Sequence, residues 1–197
     1  MRTSPLLLVC ALALPGCGSS ASSNTDTSRQ PTLAEWMEDL KSDNEIKRYE
    51  AAYVIAEMGP EARQSLNALT AVLHYDKSPR VKAQAAWSMV HVDPKGEECV
   101  PALCGALREE GEDTTVLAKV AEALGKLGPP AEPAVPELVL LLKHLNRGVR
   151  LQAARALGNI GVGAEDALGD LRALANGDAD AVVREVALEA LKKIEAK

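Results

Sequence analysis

Apolar residues return along this chain at intervals of three and four, and that rhythm itself recurs with a period near 34 residues. Ile55, Met89, Leu124, Leu157 and Leu191 hold the same place in successive segments, separated by 34, 35, 33 and 34 residues. Four positions before each stand Ala51, Ala85, Val120, Ala153 and Ala187, and three positions after stand Met58, Val92, Leu127, Ile160 and Ile194. Such offsets place the three rows on one face of a helix. A second series, Leu66, Val100, Val135 and Leu168, begins 11 residues after the anchor of each full copy, with Leu69, Leu103, Leu138 and Leu171 three residues further on. The variation in period therefore falls between units, and the constant unit is a hairpin of two helices.

Each first helix is expected to close at Gly59, Asp93, Gly128 or Gly161, three of which are followed by proline. Glycine accepts the left-handed turn that ends a helix, and proline prevents its continuation. Pro101 and Pro136 suit the first turn of the second helices, which makes Pro129 to Val135 a turn. Upstream, Thr32 and Glu35 have capping-box spacing and predict a lone helix, Thr32 to Lys41, covering the first repeat. Ser42 with Glu45 repeats that signal and is expected to open the first hairpin. The last copy, Val183 to Ile194, supplies only a first helix, and Glu185, Glu189, Lys192 and Lys193 are expected to keep its outer side polar. The predicted fold is all-α, an α-solenoid of about four and a half helical hairpins, in which no hairpin buries its apolar stripe without a neighbour.

Composition agrees with helices packed through small side chains: there is no Phe, aromatics are 3%, and Ala and Leu dominate. The formal charge is −6 with dispersed Lys and Arg, which argues against a nucleic-acid partner. At the N-terminus, one cation, Arg2, precedes nine apolar residues, Leu6 to Leu14. That is too short to cross a hydrocarbon layer of about 30 Å as a helix, so residues 1–16 read as a signal peptide. Leu14-Pro15-Gly16-Cys17 resembles a bacterial lipobox, which implies diacylation of Cys17 and an extracytoplasmic, lipid-anchored protein. Gly18 and Ser19 after the cysteine imply the outer membrane or the cell surface. Residues 17–30, rich in Ser, Thr and Asn, read as the lipidated cysteine and a flexible tether, and 31–197 as the repeat domain.

The segment Val149 to Gly161, Val-Arg-x-x-Ala-Ala-x-Ala-Leu-Gly-x-Ile-Gly, followed by a second helix, resembles HEAT-like repeats of the phycobilin-lyase type over residues 42–194. The resemblance implies an armadillo-like superhelix that binds another protein on its concave face. It also implies that the arginine of the motif, present as Arg48, Arg150 and Arg184, pairs with a preceding aspartate, for which Asp76 and Asp178 are placed. Lys82 and Leu117 replace that arginine, and Asp93 replaces a closing glycine. Second helices of such stacks are expected on the concave side, where Thr70, Cys104, Val139 and Arg172 share one position and Asn67, Pro101, Pro136 and Gly169 another.

Chemistry is sparse. His74, His91 and His144 fall at different repeat positions, without the spacing of zinc ligands, and read as surface residues; His91 belongs to an outer row with Glu57, Lys126 and Asn159. Cys99 and Cys104 would point apart within one helix; a bridge would need Cys99 in the turn before Pro101, and buried free thiols are the preferred reading. Glu109, Glu110, Glu112 and Asp113 form a charged loop without calcium-loop order, and Gly161-Val162-Gly163 lacks the preceding strand of a phosphate loop. No catalytic, cofactor or metal site is therefore assigned, no small-molecule substrate is expected, and the partner-binding residues are left open. The preferred function is a non-catalytic, membrane-anchored scaffold for protein–protein interaction. The alternatives are a chromophore-lyase-like subunit and a self-associating structural protein of the envelope.

Overall fold

A cap helix and nine repeat α-helices follow one another in the computed structural model, which describes residues 30–109, 111 and 113–196; 3-10 helices at Gly59–Ser65, Pro129–Ala134 and Gly161–Ala167 join three of the hairpins, the second of them where a turn was expected. The chain divides into Met1–Gln30 and Pro31–Lys197. Of the first unit only Gln30 is described, so the expected leader, Cys17 and the tether up to Arg29 lie outside the described residues. The cap helix is α1 (Leu33–Asp39). The four hairpins are α2 (Glu45–Met58) with α3 (Leu66–Tyr75), α4 (Pro79–Val92) with α5 (Cys99–Arg108), α6 (Thr114–Leu127) with α7 (Val135–Leu141), and α8 (Arg147–Ile160) with α9 (Leu168–Gly177). The half repeat is α10 (Ala181–Glu195), and no strand occurs among the described residues. The solenoid expected from the repeat pattern is therefore the fold.

Local chemistry sets the helix ends. Thr32 accepts from the Glu35 amide while the Glu35 carboxylate accepts from the Thr32 amide, at 2.6 Å, and so starts α1. The first hairpin opens two residues later than expected, because Asn44 rather than Ser42 is the cap: its side-chain oxygen accepts from the Ile46 amide at 2.8 Å. Asp113, Asn146 and Asp180 cap α6, α8 and α10 in the same way. Gly59, Gly128 and Gly161 close their helices with φ of 62°, 68° and 75°, a region that a side chain disfavours. Asp93 closes α4 differently. Its φ is −124°, and its buried carboxylate accepts from the amides of Glu98, at 2.8 Å, and Cys99, at 3.0 Å, tying the end of α4 to the start of α5. Three residues on, Gly96 takes the left-handed φ of 74° that Asp93 does not.

All the anchor residues and the alanine or valine row before them are buried, as are Leu69, Leu103, Leu138 and Leu171 of the second helices. The first helices pack on one another along their length, whereas second helices of neighbouring repeats meet only sparingly. Small residues make the tight layer possible. A Cβ on Gly125 would lie 2.8 Å from Ala156 Cα, and one on Gly158 would lie 2.8 Å from Ala190 Cα. Gly158→Ala should therefore reverse the usual sign of this change. In an ordinary helix interior it gains about 1 kcal/mol, but here it must push α8 from α10 and should lose about 1–3 kcal/mol by overpacking, read from the urea midpoint.

Two joints carry an arginine clamp. Arg48 Nε and Nη2 donate to Asp76 at 2.6 and 3.0 Å while Nη1 donates to the carbonyls of Ser42 and Asp43. Arg150 repeats this with Asp178, at 2.6 and 3.0 Å, and with the carbonyls of His144 and Leu145. The aspartate follows the arginine by 28 residues instead of preceding it, since it sits in the loop that leads into the next first helix. Each clamp thus fastens one repeat to its successor. Arg184, by contrast, donates to the carbonyls of Asp178 and Ala179. The outer side of α10 is also less polar than expected, because Val182 and Leu188 are 46% and 49% exposed among its charged residues.

Candidate interaction surface

Aligning the repeats on their anchors brings five side chains into one row along the first helices, two positions before each anchor: Tyr53, Trp87, Glu122, Arg155 and Glu189. Two positions after the anchors run Glu57, His91, Lys126, Asn159 and Lys193, so the row expected around His91 lies beside the first. Neither row faces the core, because the anchors and the alanine row take the inward positions.

Trp87, half-buried on α4, is the centre of this surface. The Nζ atoms of Lys126 and Lys119, both from α6, stand 4.1 and 5.3 Å from its ring centroid. His91 lies one turn along α4, with its ring 4.8 Å from Trp87, and its Nδ1 is 2.7 Å from the Trp87 carbonyl oxygen. Lys126 Nζ is 2.7 Å from His91 Nε2. Since Nδ1 must donate to the carbonyl, Nε2 of a neutral ring accepts from the ammonium. A second cation–aromatic pair joins α2 to α4, with Arg80 Cζ 4.3 Å from the Tyr49 ring centroid. These groups frame two hollows. Tyr49, Arg80, Gln84, Trp87 and Lys119 line one of about 560 Å³, and Trp87, Glu122, Lys126, Gln152, Arg155 and Asn159 line another of about 230 Å³. Tryptophan, tyrosine and arginine in a partly desolvated row are the residues that dominate protein interfaces. A larger hollow of about 860 Å³ lies at the turn edge, but prolines and valines make up most of its wall and only Glu132 and Asp166 bring charge.

The other expected candidates do not converge. Cys99 and Cys104 are buried free thiols in α5, Cys99 being helical rather than in a preceding turn. Burial, reinforced by the neighbouring Asp93 carboxylate, pushes the Cys99 thiol up to about 12, and burial followed by Glu137 raises Cys104 as well. Both stay protonated at neutral pH and are poor nucleophiles. His74 pairs with Glu109, and the His144 ring accepts from the Asn146 amide, far apart in the stack. Glu110 and Glu112 lie outside the described residues. No group of three metal-ligating side chains gathers among the described residues, and no helix there is long and apolar enough to cross a membrane. Of the second-helix positions, Asn67, Pro101, Pro136, Gly169 and Arg172 are exposed, but Cys104 is buried and the set holds no aromatic residue.

The Trp87 cluster went unnoticed in the sequence because its members come from different repeats. The signal was present: His91 and Lys126 hold equivalent positions in adjacent repeats, and Trp87 lies one turn before His91.

Comparison with known proteins agrees with the geometry. Residues 31–114, 66–139 and 100–192 match the family of HEAT repeats. Among solved structures, the complex of CpcE and CpcF of phycocyanin lyase from Nostoc sp. PCC7120 is similar, with a TM-score of 0.70 at 21% identity over 91% of this chain and 71% of that one. An engineered protein gives a TM-score of 0.62 at 26% identity, covering 84% of this chain and 81% of its own. A designed armadillo repeat protein in complex with the peptide (KR)4 gives 0.63 at 21% identity, over 82% and 81%. No curated protein matches the sequence significantly.

Proposed function

The chain belongs to the HEAT-repeat family, and from that premise we propose that it is a non-catalytic scaffold, lipid-anchored at Cys17 outside the cytoplasm, which binds another protein along its first helices. The observation that carries the proposal is the Trp87 surface, where an aromatic ring and four cations stand on a rigid layer of helices. A stack whose one layer is more closely spaced bends toward that layer. The first helices, in contact through Gly125, Ala156, Gly158 and Ala190, thus form the inner wall of the superhelix. On this proposal the concave face is the layer opposite the one that the family resemblance implied.

Two measurements test the proposal. Mass spectrometry of the mature N-terminus should find a diacylated Cys17. A photoreactive residue at position 155 should crosslink one reproducible protein in intact cells, while the same residue at position 172 should not. Trp87→Ala should weaken that complex by about 2 kcal/mol, roughly thirtyfold, without loss of helicity. The likeness to a phycocyanin lyase complex supports a second reading, a lyase-like subunit, which requires the domain to share the cytoplasm with a pigment. A lipid-bearing Cys17 would eliminate it.

A further inference from the structure

We propose that the occupant of the Trp87 surface is an acidic stretch of polypeptide, lying extended across the first helices with a carboxylate at about every third residue. The inference rests on the reading that this layer binds a protein, and it names the chemistry of the bound segment.

The way the arginines are paired points to it. Arg48, Arg63, Arg108, Arg147, Arg150 and Arg172 are each matched with an aspartate or glutamate of the chain. Arg184 is bonded to backbone carbonyls. Arg80 and Arg155 have no carboxylate partner among the described residues, although the chain has 28 acids for 22 Lys and Arg. Both line the hollows beside Trp87. Lys126, exposed, spends one donor on His91, stands over the Trp87 ring and has no carboxylate partner among the described residues. Two acids line these hollows: Glu122, which Lys119 holds at 2.8 Å, and Asp113, which caps α6 by accepting from the Thr115 amide, against the four cations Arg80, Lys119, Lys126 and Arg155. The middle of this face is therefore cationic on a protein of formal charge −6.

Spacing selects the shape of the ligand. Lys126 on α6, Arg155 on α8 and Lys193 on α10 come from successive helices and lie within about one turn of the same height, while Arg80 stands near the start of α4. Packed helices lie about 8–10 Å apart, and an extended chain advances about 3.3 Å per residue, so three residues of peptide span one repeat. A single nucleic-acid strand carries a charge about every 3.4 Å. With Lys119 held by Glu122, about one cation per repeat is left, and most of those phosphates would go unmatched on a protein that repels them overall.

The test uses the full chain in detergent micelles and a fluorescein-labelled peptide of repeated Glu-Gly-Gly. A peptide of the same composition with its glutamates gathered at one end, a Lys-Gly-Gly repeat and oligodeoxythymidine serve as competitors. The spaced glutamate peptide should bind, with an affinity that falls as salt rises. In a Trp36→Phe background, where Trp87 is the remaining tryptophan, it should also change the emission. Arg80→Glu with Arg155→Glu should weaken binding about tenfold or more and create affinity for the lysine repeat, while leaving the circular dichroism melt in place. Equal binding of the gathered peptide, preference for oligodeoxythymidine, or indifference to the double substitution would overturn the inference. Crosslinks from position 155 to a partner segment without acids would also overturn it while leaving the scaffold in place, whereas the absence of any crosslink would remove both.

Discussion

Replacing Leu157 by alanine is expected to cost about 2–5 kcal/mol of stability. The side chain is fully buried in α8, a first helix with neighbours on both sides, α6 and α10. Its removal opens a hole that these neighbours cannot fill, because α8 already touches them through Gly125, Ala156, Gly158 and Ala190, where the backbones meet. In a repeat stack the energy of a joint is shared by both partners, so the damage spreads to two joints at once. His91→Ala is the control. His91 is half-buried on the outer row, and its loss should change stability by less than about 0.5 kcal/mol. Urea unfolding of both variants checks the assignment of faces, since equal effects would mean that the inward and outward rows are exchanged.

The second large effect is expected at the clamp between α8 and the loop before α10. Asp178→Asn should cost about 3 kcal/mol, because it leaves the guanidinium of Arg150, 14% exposed, without its countercharge. The exposed pair of Arg172 with Glu195, also between Arg and a carboxylate, should yield less than about 1 kcal/mol. The same substitution at the clamp should alter the response to acid. Hydrogen bonding to Arg150, the largest influence, holds the Asp178 carboxyl below the usual carboxylate range. A carboxyl whose folded value is depressed contributes stability that is complete above its unfolded value, about 3.9, and that disappears as pH falls through the folded value. The native clamp should therefore be intact at neutral pH and weaken below about pH 4, whereas the Asp178→Asn variant should lose this part of the acid sensitivity. Thermal melts at a series of pH values read the difference.

The parts of this fold that were legible in the sequence are those set by periodicity. The buried rows, the helix count and the glycine stops all follow from positions that must recur wherever one hairpin leans on the next, and Leu157, Ala153 and Ile160 stand where their spacing places them. Choices between chemically equivalent groups were not legible. Ser42 and Asn44 can both cap a helix, and only the path of the chain after α1 decides for Asn44. Arg150 could reach backward or forward, and the loop geometry sends it forward to Asp178. Which layer is the tighter depends on glycine meeting alanine across a joint, Gly125 on Ala156, a relation between repeats rather than within one. The interaction surface was hidden for the same reason, since Trp87, Lys126 and Arg155 belong to three different copies.

The bonds that cross from one repeat to the next span about one repeat of chain: 28 residues for the two clamps, 34 for Lys193 with Asn159, 35 for Lys126 with His91, and 36 for the Ser88 hydroxyl on the Ala52 carbonyl. No segment has to search for a mate far away in sequence, so the loop entropy lost in reaching the transition state is small and folding should be quick for a domain of this size. The order of events is equally unconstrained, for any adjacent pair of hairpins can nucleate and the rest can zip outward from it.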